Sequence, residues 1–399
     1  MLLLNTDEKD LLPTVVALFF FLMITVAFCS AANGQFVQQA ESLKVFAPPN
    51  FFVGGVLHHD DSFTSPGCRA VAQREFNAIT ATAYLPYNVW PNPGQGINTN
   101  GFTQVADWGI SRGMKIHGHV LVYPHINKDA QWWRRLPNPE VERFLFHYVD
   151  TFARARAGNV WCWDVVNEVI AEDNQPMDAF GLRTDFKEYQ AMGPSYVEKA
   201  FRWAKAADPN ALLILNEAGA DVINNKSTRM FEFVKLLRRR GVPIDGVGFQ
   251  YHFVDVTQPA PDIDSLRANL KRFADAGFKI FITEADVASI RTKAPGPHHP
   301  GVSTPNDQQR ERQKRFFERT LKIALQQPAV KAYMFWDFVD DYSWLHKTDR
   351  QIYNIQPGTF THPTPFWCGK ECPISPKKSY FGMLETLKTT PHVLSLIHI

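Results

Sequence analysis

Along this chain of 399 residues, polar and apolar positions fall into short blocks that keep changing period. Uninterrupted apolar runs recur at Phe51–Val56, Ala78–Thr80, Met114–Val122, Asn159–Glu168, Ala211–Asn216, Gly246–His252, Lys279–Glu284 and Ala332–Asp337. A strand with one solvated face alternates polar and apolar residues. Continuous runs predict strands buried on both faces, as in parallel sheets. Between most of these runs, apolar residues return every three to four positions, which predicts amphipathic helices. Glu140–Ala155, Tyr196–Ala207, Ser227–Arg240, Ile263–Ala276 and Gln308–Gln326 are examples. Asp264-Ser265 and Asn306-Asp307 supply helix-start chemistry. Eight strand candidates in βαβα order predict an α/β fold, a closed (β/α)8 TIM barrel rather than an open doubly wound sheet. No glycine-rich loop follows the first run, which argues against a nucleotide site.

Two of the runs stop on a carboxylate. Glu168 closes Trp161–Glu168 and Glu284 closes Lys279–Glu284. Barrel enzymes work where the strands end. Two carboxylates there are the minimal kit for cleaving a glycosidic bond: one protonates the leaving oxygen, and the other attacks the anomeric carbon or activates water. Composition adds little against this. The chain is 45% hydrophobic and 21% charged, with a net charge of +2, so nothing electrostatic points to nucleic acid. The 13% aromatic content, with 10 Trp, suits an open cleft that stacks sugar rings, although most such rings belong to a core. An esterase would need a serine on a G-x-S-x-G turn, and none is present. Metal-ligand spacing is also absent. The adjacent His58 and His59, followed by Asp60 and Asp61, point to opposite faces of an extended segment, and the same holds for His298-His299. The two carboxylates suffice chemically, so neither a cofactor nor a metal is expected.

The apolar stretch from Thr14 to Phe28, followed by Ser30, Ala31 and Ala32, reads as a signal segment over residues 1–34. Cleavage between Ala31 and Gln35 would release a secreted protein without a membrane span. Asp7, Glu8 and Asp10 outnumber Lys9 where such a segment is usually basic, so an uncleaved N-terminal anchor is the alternative. Cys162 lies in an apolar run and is expected to be a packed thiol. Cys368 and Cys372 flank a short loop and could pair as a disulfide in an oxidising compartment. The irregular stretches Thr292–Asn306 and Asn354–Ser375 follow the last two strands and are expected over the catalytic face. Residues 394–399 (LSLIHI) match a translated sequencing adapter and are expected to be foreign to the native chain.

Five ordered motifs carry a closer resemblance: HGHVLVY at 117–123, WDVVNEV at 163–169, GVPIDGVGFQYH at 241–252, ITEADV at 282–287 and FWDFVDDYSWL at 335–345. Together they resemble the family 10 glycoside hydrolases, the endo-β-1,4-xylanase family, over residues 45–390. The resemblance implies a monomeric retaining enzyme acting on xylan, with Glu168 as general acid/base and Glu284 as nucleophile. It implies that Asn167 bonds the 2-hydroxyl of the sugar being cleaved, that His252 and Asp286 orient Glu284, and that Gln250 faces the site as catalytic support. His119 would touch the same sugar, and Trp336 and Trp344 would wall its subsite. Retention calls for carboxyl groups about 5–5.5 Å apart, an acid that keeps its proton near neutrality and a nucleophile that stays ionised.

One region departs from the pattern. After the second strand the family shows Thr-Pro-Glu-Asn-x-x-Lys, whose polar residues grip the next sugar. Here the chain reads Thr80-Ala81-Thr82-Ala83-Tyr84-Leu85-Pro86. After the third strand the family's Trp-His is replaced by Tyr123-Pro124. Tyr84, Tyr87, Trp90 and His125 are the residues available to rebuild that surface, and Tyr123 is a further candidate substrate contact. The expected substrate is xylan. The alternatives are another or a decorated β-glycan, or a barrel that binds carbohydrate without cutting it.

Overall fold

The computed structural model describes residues 41–84, 96–127, 130–253, 262–287, 305–344, 364–367 and 374–391. The strands are β1 Phe52–Leu57, β2 Ala78–Thr82, β3 Lys115–Val122, β4 Val160–Asn167 and β5 Leu212–Glu217. They continue with β6 Gly246–Phe249, β7 Lys279–Val287 and β8 Val330–Phe335. Each pairs in parallel with the next. The register from Phe52↔Ala332 to Gly55↔Phe335 joins β1 to β8 and closes the barrel. A helix follows every strand: α1 Pro66–Glu75, α2 Asn100–Ile110, α3 Asn138–Ala155 and α4 Ser195–Ala207. The other four are α5 Asn225–Arg239, α6 Ile263–Asp275, α7 Asp307–Gln326 and α8 Lys378–Thr389.

The strands and helices expected from the apolar pattern are present, with ends displaced by a few residues. The cap of α7 is Asn306, which forms a reciprocal pair with Gln309. The cap of α6 is Asp262 rather than Asp264-Ser265. The Asp262 side chain accepts from the Asp264 amide at 3.0 Å, while the Ser265 hydroxyl is committed to the Ile223 amide at 2.9 Å. The run expected over Gly246–His252 is interrupted: β6 stops at Phe249, Tyr251 turns through φ 58°, and His252–Phe253 resumes beside the end of β7.

Helix faces such as Val141, Leu145, Tyr148, Val149 and Phe152 of α3 pack outside the sheet and form the main core. The lumen changes character along its axis. Near the N-terminal ends of the strands it is filled by Ala78, Cys162, Ile214, Phe281, Ala332 and Met334. Cys162 is thus the packed thiol the pattern predicts. Above this layer, buried Thr80, His117, Asp164, Asn216 and Thr283 make the lumen polar. Buried polar groups need partners, and these find them in the site at the C-terminal mouth. Glu168, Tyr251 and Asp337, at the ends of β4, β6 and β8, all adopt left-handed backbone, with φ of 55°, 58° and 59°. L-residues rarely take this conformation, and it concentrates at functional sites.

Residues 1–34, Tyr87, Trp90, His298-His299, Cys368, Cys372 and 394–399 lie outside the described residues. So does most of the two irregular stretches expected over the catalytic face. Among the described residues no helix is long and apolar enough to cross a membrane.

Candidate active site

The end of β7 presents Glu284, of which only 4% is exposed. Asn216 of β5 donates to its Oε1 at 2.6 Å and to Asn167 Oδ1 at 3.0 Å. Thr283 Oγ1 donates to Asn216 Oδ1 at 2.8 Å and so fixes which way that amide faces. Gly248 of β6 leaves room for it: a Cβ at that position would lie 2.2 Å from Asn216 Oδ1. On the other side His252 Nε2 is 3.1 Å from Glu284 Oε2, and its Nδ1 is 3.0 Å from Asp286 Oδ2. The Trp344 indole donates to the same Asp286 oxygen at 2.7 Å. Burial works against a charged His252. The charge and hydrogen bond of Asp286, with Glu284, outweigh it and hold the imidazole well above its ordinary range. Burial in turn pushes Asp286 up, and His252 opposes that. His252 thus stands between two carboxylates that both raise its affinity for a proton.

A second histidine faces Glu284 from β3. His119 Nδ1 is 2.6 Å from Asp164 Oδ2 and 3.8 Å from Glu284 Oε1. His117 Nε2 lies 2.9 Å from the same Asp164 oxygen, and Thr80 Oγ1 is 3.1 Å from His117 Nδ1. Burial favours neutral forms of both partners. Against it, Asp164 and Glu284 raise His119, and His117 and His119 lower Asp164. Ligand-type atoms of His119, Asp164 and Glu284 fall within 4.8 Å of one another. These contacts within the network already give those atoms their partners.

Glu168 is more open. Gln250 Nε2 donates at 3.1 Å both to Glu168 Oε1 and to Asn167 Oδ1, while Asn167 Nδ2 is 3.4 Å from Glu168 Oε1. Asn167, Gln250 and Asn216 thus link the two glutamates through neutral amides. Tyr123, directly after β3, lines the same cavity as Glu168. Burial first, then the Glu168 charge, hold its phenol well above the ordinary range. Behind Glu168, fully buried Glu217 is raised to about 7, mainly by burial. Its Oε1 lies 3.0 Å from Lys226 Nζ, which also reaches Glu172 at 2.8 Å.

Both carboxylates open into a cavity of about 510 Å³. Its walls include His119, Tyr123, Asn167, Gln250, His252, Trp336 and Trp344, with Tyr84 and His125 to one side and Gln175, Arg183 and Lys226 on the rim. Trp336 lies 4.9 Å from the His119 ring, and Trp344 lies 5.1 Å from the His252 ring. Tyr84 sits 5.7 Å from His119. His58 Nε2 lies 3.4 Å from Asp337 Oδ1.

All the described residues predicted for the site therefore converge, with Asp286 behind His252. Asn216, Asp164, His117 and Thr80 were not predicted. Their signal was available: each is polar in a run otherwise buried on both faces, so its side chain needs a partner in the lumen.

The profile of Glycosyl hydrolase family 10 matches residues 42–365. The chain belongs to this family. Endo-1,4-beta-xylanase B of Thermotoga neapolitana is 34% identical over 275 residues, covering 69% of this chain and 73% of that protein. Among solved structures, native xylanase 10B from Thermotoga maritima superposes with a TM-score of 0.71 at 30% identity, covering 87% of this chain and 98% of that one. Xylanase 10B from Thermotoga petrophila RKU-1, solved in complex with xylobiose, gives 0.71 and 30%, covering 87% and 97%. The family 10 barrel accounts for the lumen's polar upper half: the strands there carry the site's supports.

Proposed function

We propose that this family 10 protein is an endo-β-1,4-xylanase that works with retention, Glu168 being the general acid/base and Glu284 the nucleophile. The observation that carries the assignment is the unlike setting of the two carboxylates. Glu284 is buried between the His252 imidazole, itself backed by Asp286, and the Asn216 amide, contacts that fix its rotamer. Glu168 faces the open cavity beside the neutral amides of Gln250 and Asn167, within reach of a bound leaving group. In the first step Glu168 protonates the leaving oxygen while a Glu284 oxygen bonds the anomeric carbon. In the second, Glu168 takes a proton from water, which releases the sugar from Glu284. Asn167 lies between the carboxylates, placed to bond the 2-hydroxyl where charge develops.

Xylan as substrate rests on the relatives, which are named xylanases. The glycone side favours a variation on that theme. Thr82, Ala83 and Pro86 stand at the sequence positions of the family's polar anchors, and the neighbouring Tyr84 reaches the cavity wall. An uncharged aromatic surface tolerates a substituted sugar better than a fixed set of charged contacts, so decorated xylans belong to the substrate range. The apolar segment at 14–28 supports secretion, and no second copy is required to complete the site.

Product analysis tests the reading. Glucuronoxylan, arabinoxylan, mixed-linkage β-glucan and an aryl β-xylobioside are incubated with wild type, Glu168→Ala and Glu284→Ala. The expected result is xylo-oligosaccharides from wild type and none from Glu284→Ala. Retained cleavage of the aryl substrate by Glu168→Ala, restored further by azide, is expected of an acid/base variant. Binding of xylan without cleavage of any substrate by wild type would make the barrel a binding protein and overturn the proposal.

A further inference from the structure

Behind the mouth of the barrel lies a buried ion pair to which the reaction scheme gives no role. Glu217, the last residue of β5, is fully buried, and Lys226 of α5 is 7% exposed. Burying two charges is costly, and apolar side chains could fill the same space. Glu217 is set apart by what its second oxygen holds. Lys226 Nζ stands 3.0 Å from Oε1, while Oε2 accepts from the backbone amide of Ile170 at 3.0 Å. Ile170 lies two residues beyond Glu168.

The segment leaving β4 is held along both edges. On one, Ala171 donates to the Gly181 carbonyl at 2.9 Å and Arg183 donates to the Val169 carbonyl at 3.0 Å. On the edge toward β5, the Glu168 amide donates to the Asn216 carbonyl at 3.1 Å, and the Ile170 amide donates to Glu217. Between those two points the chain turns through φ 55° at Glu168, a conformation that its surroundings must impose on an L-residue. We propose that Glu217 is a positioning residue for the general acid: by holding the Ile170 amide it fixes the backbone turn that aims the Glu168 carboxyl at the leaving oxygen. The inference rests on the assignment of Glu168 made above.

The position calls for a carboxylate, because each of its oxygens faces a donor. Lys226 is itself held by Glu172 at 2.8 Å. An amide cannot serve both sides: Glu217→Gln must turn its NH2 toward either the Ile170 N–H or the Lys226 ammonium. The ammonium, the stronger donor, keeps the oxygen, and the Ile170 amide loses its acceptor. In the double variant Glu217→Gln/Lys226→Met the competing donor is gone, and the glutamine oxygen is free to accept from Ile170.

The test is the leaving-group dependence of kcat/KM on two aryl β-xylobiosides that share a one-ring aglycone. Phenolate needs a proton as it departs, whereas dinitrophenolate leaves without one. Because kcat/KM ends with formation of the glycosyl-enzyme, Glu168 enters it only as an acid. Misplacing a reacting group by about 1 Å costs about 100-fold. Glu217→Gln and Glu217→Ala should therefore lose about 100-fold on the phenyl substrate and little on the dinitrophenyl one, which also counts the correctly folded sites. The double variant should recover most of the loss on the phenyl substrate. Glu168→Ala is the reference and should show a larger split. A defect of folding or of substrate grip lowers both substrates together. Equal losses in Glu217→Gln and Glu217→Ala, no loss in either, or a double variant as split as Glu217→Gln would overturn this inference alone, provided Glu168→Ala shows the split. No split in Glu168→Ala would overturn the acid/base assignment beneath it.

Discussion

Glu188 offers a direct test of how burial sets the working pH of this barrel. It sits in the short helix Lys187–Met192 of the connection after β4, with no exposed surface. Its Oε1 accepts from Asn127 Nδ2 at 2.7 Å, which ties that connection to the segment following Tyr123. Burial raises its pKa from 4.5 to about 7, with the Asn127 hydrogen bond opposing. The folded state therefore binds this proton more tightly than the unfolded chain. The stabilisation is complete below about pH 4.5 and is lost as pH rises through about 7. A shift of that size corresponds to about 3 kcal/mol, at 1.36 kcal/mol per unit. Glu188→Gln keeps the acceptor for Asn127 and carries no charge, so it imitates the protonated acid. Denaturant unfolding should find the variant close to wild type at pH 4.5 and about 3 kcal/mol more stable at pH 9. In thermal melts that is a gain of roughly 4 °C, given about 2 cal/mol/K of unfolding entropy per residue. Glu217, raised to about 7, and Asp221, raised to about 6, remain in the variant and keep part of the wild-type slope. Parallel stability curves for the two proteins across this range, or an equal loss in the variant at both pH values, would refute the reasoning.

Two further outcomes follow from the site. Asp286→Asn removes the charge that raises His252 and orients its ring, so kcat should fall by about 10- to 100-fold, the equivalent of one charge-assisted hydrogen bond. KM should barely change, as steady-state kinetics on an aryl xylobioside would reveal. Gly248→Ala places a methyl group 2.2 Å from Asn216 Oδ1. Displacing that amide should lower both kcat and stability, the latter by about 1–3 kcal/mol in calorimetry.

Much of the barrel was legible because its strands are buried on both faces, and burial on both faces writes itself as uninterrupted apolar sequence. The helix Pro66–Glu75 was harder to read. Pro66-Gly67 resembles a turn, yet Ser65 caps the Cys68 amide and proline fits the first helical turn, where an N–H would lack an intrahelical partner. The two catalytic candidates stood out as carboxylates at strand ends. Their supports were less visible. Asp164 lies in the middle of WCWDVVNE and Asn216 near the end of LLILNE, where each looks like a blemish in an apolar run. Only the closed register turns them inward, to meet His117, His119 and Glu284 across the lumen. Contacts between strands far apart in sequence leave no local periodicity to detect. The polar residue at an inward position is the trace they do leave.

The left-handed backbone at Glu168 sets the interests of the fold against those of the reaction. A β-carbon at φ 55° costs about 1–2 kcal/mol that glycine would be spared. Tyr251 and Asp337 repeat the arrangement on two other strand ends. Screening this protein for heat resistance alone would therefore reward glycine at position 168 and deliver a sturdier barrel that has lost its acid. Selection for thermostability here has to be coupled to turnover, because the mouth of the barrel is where the two objectives diverge.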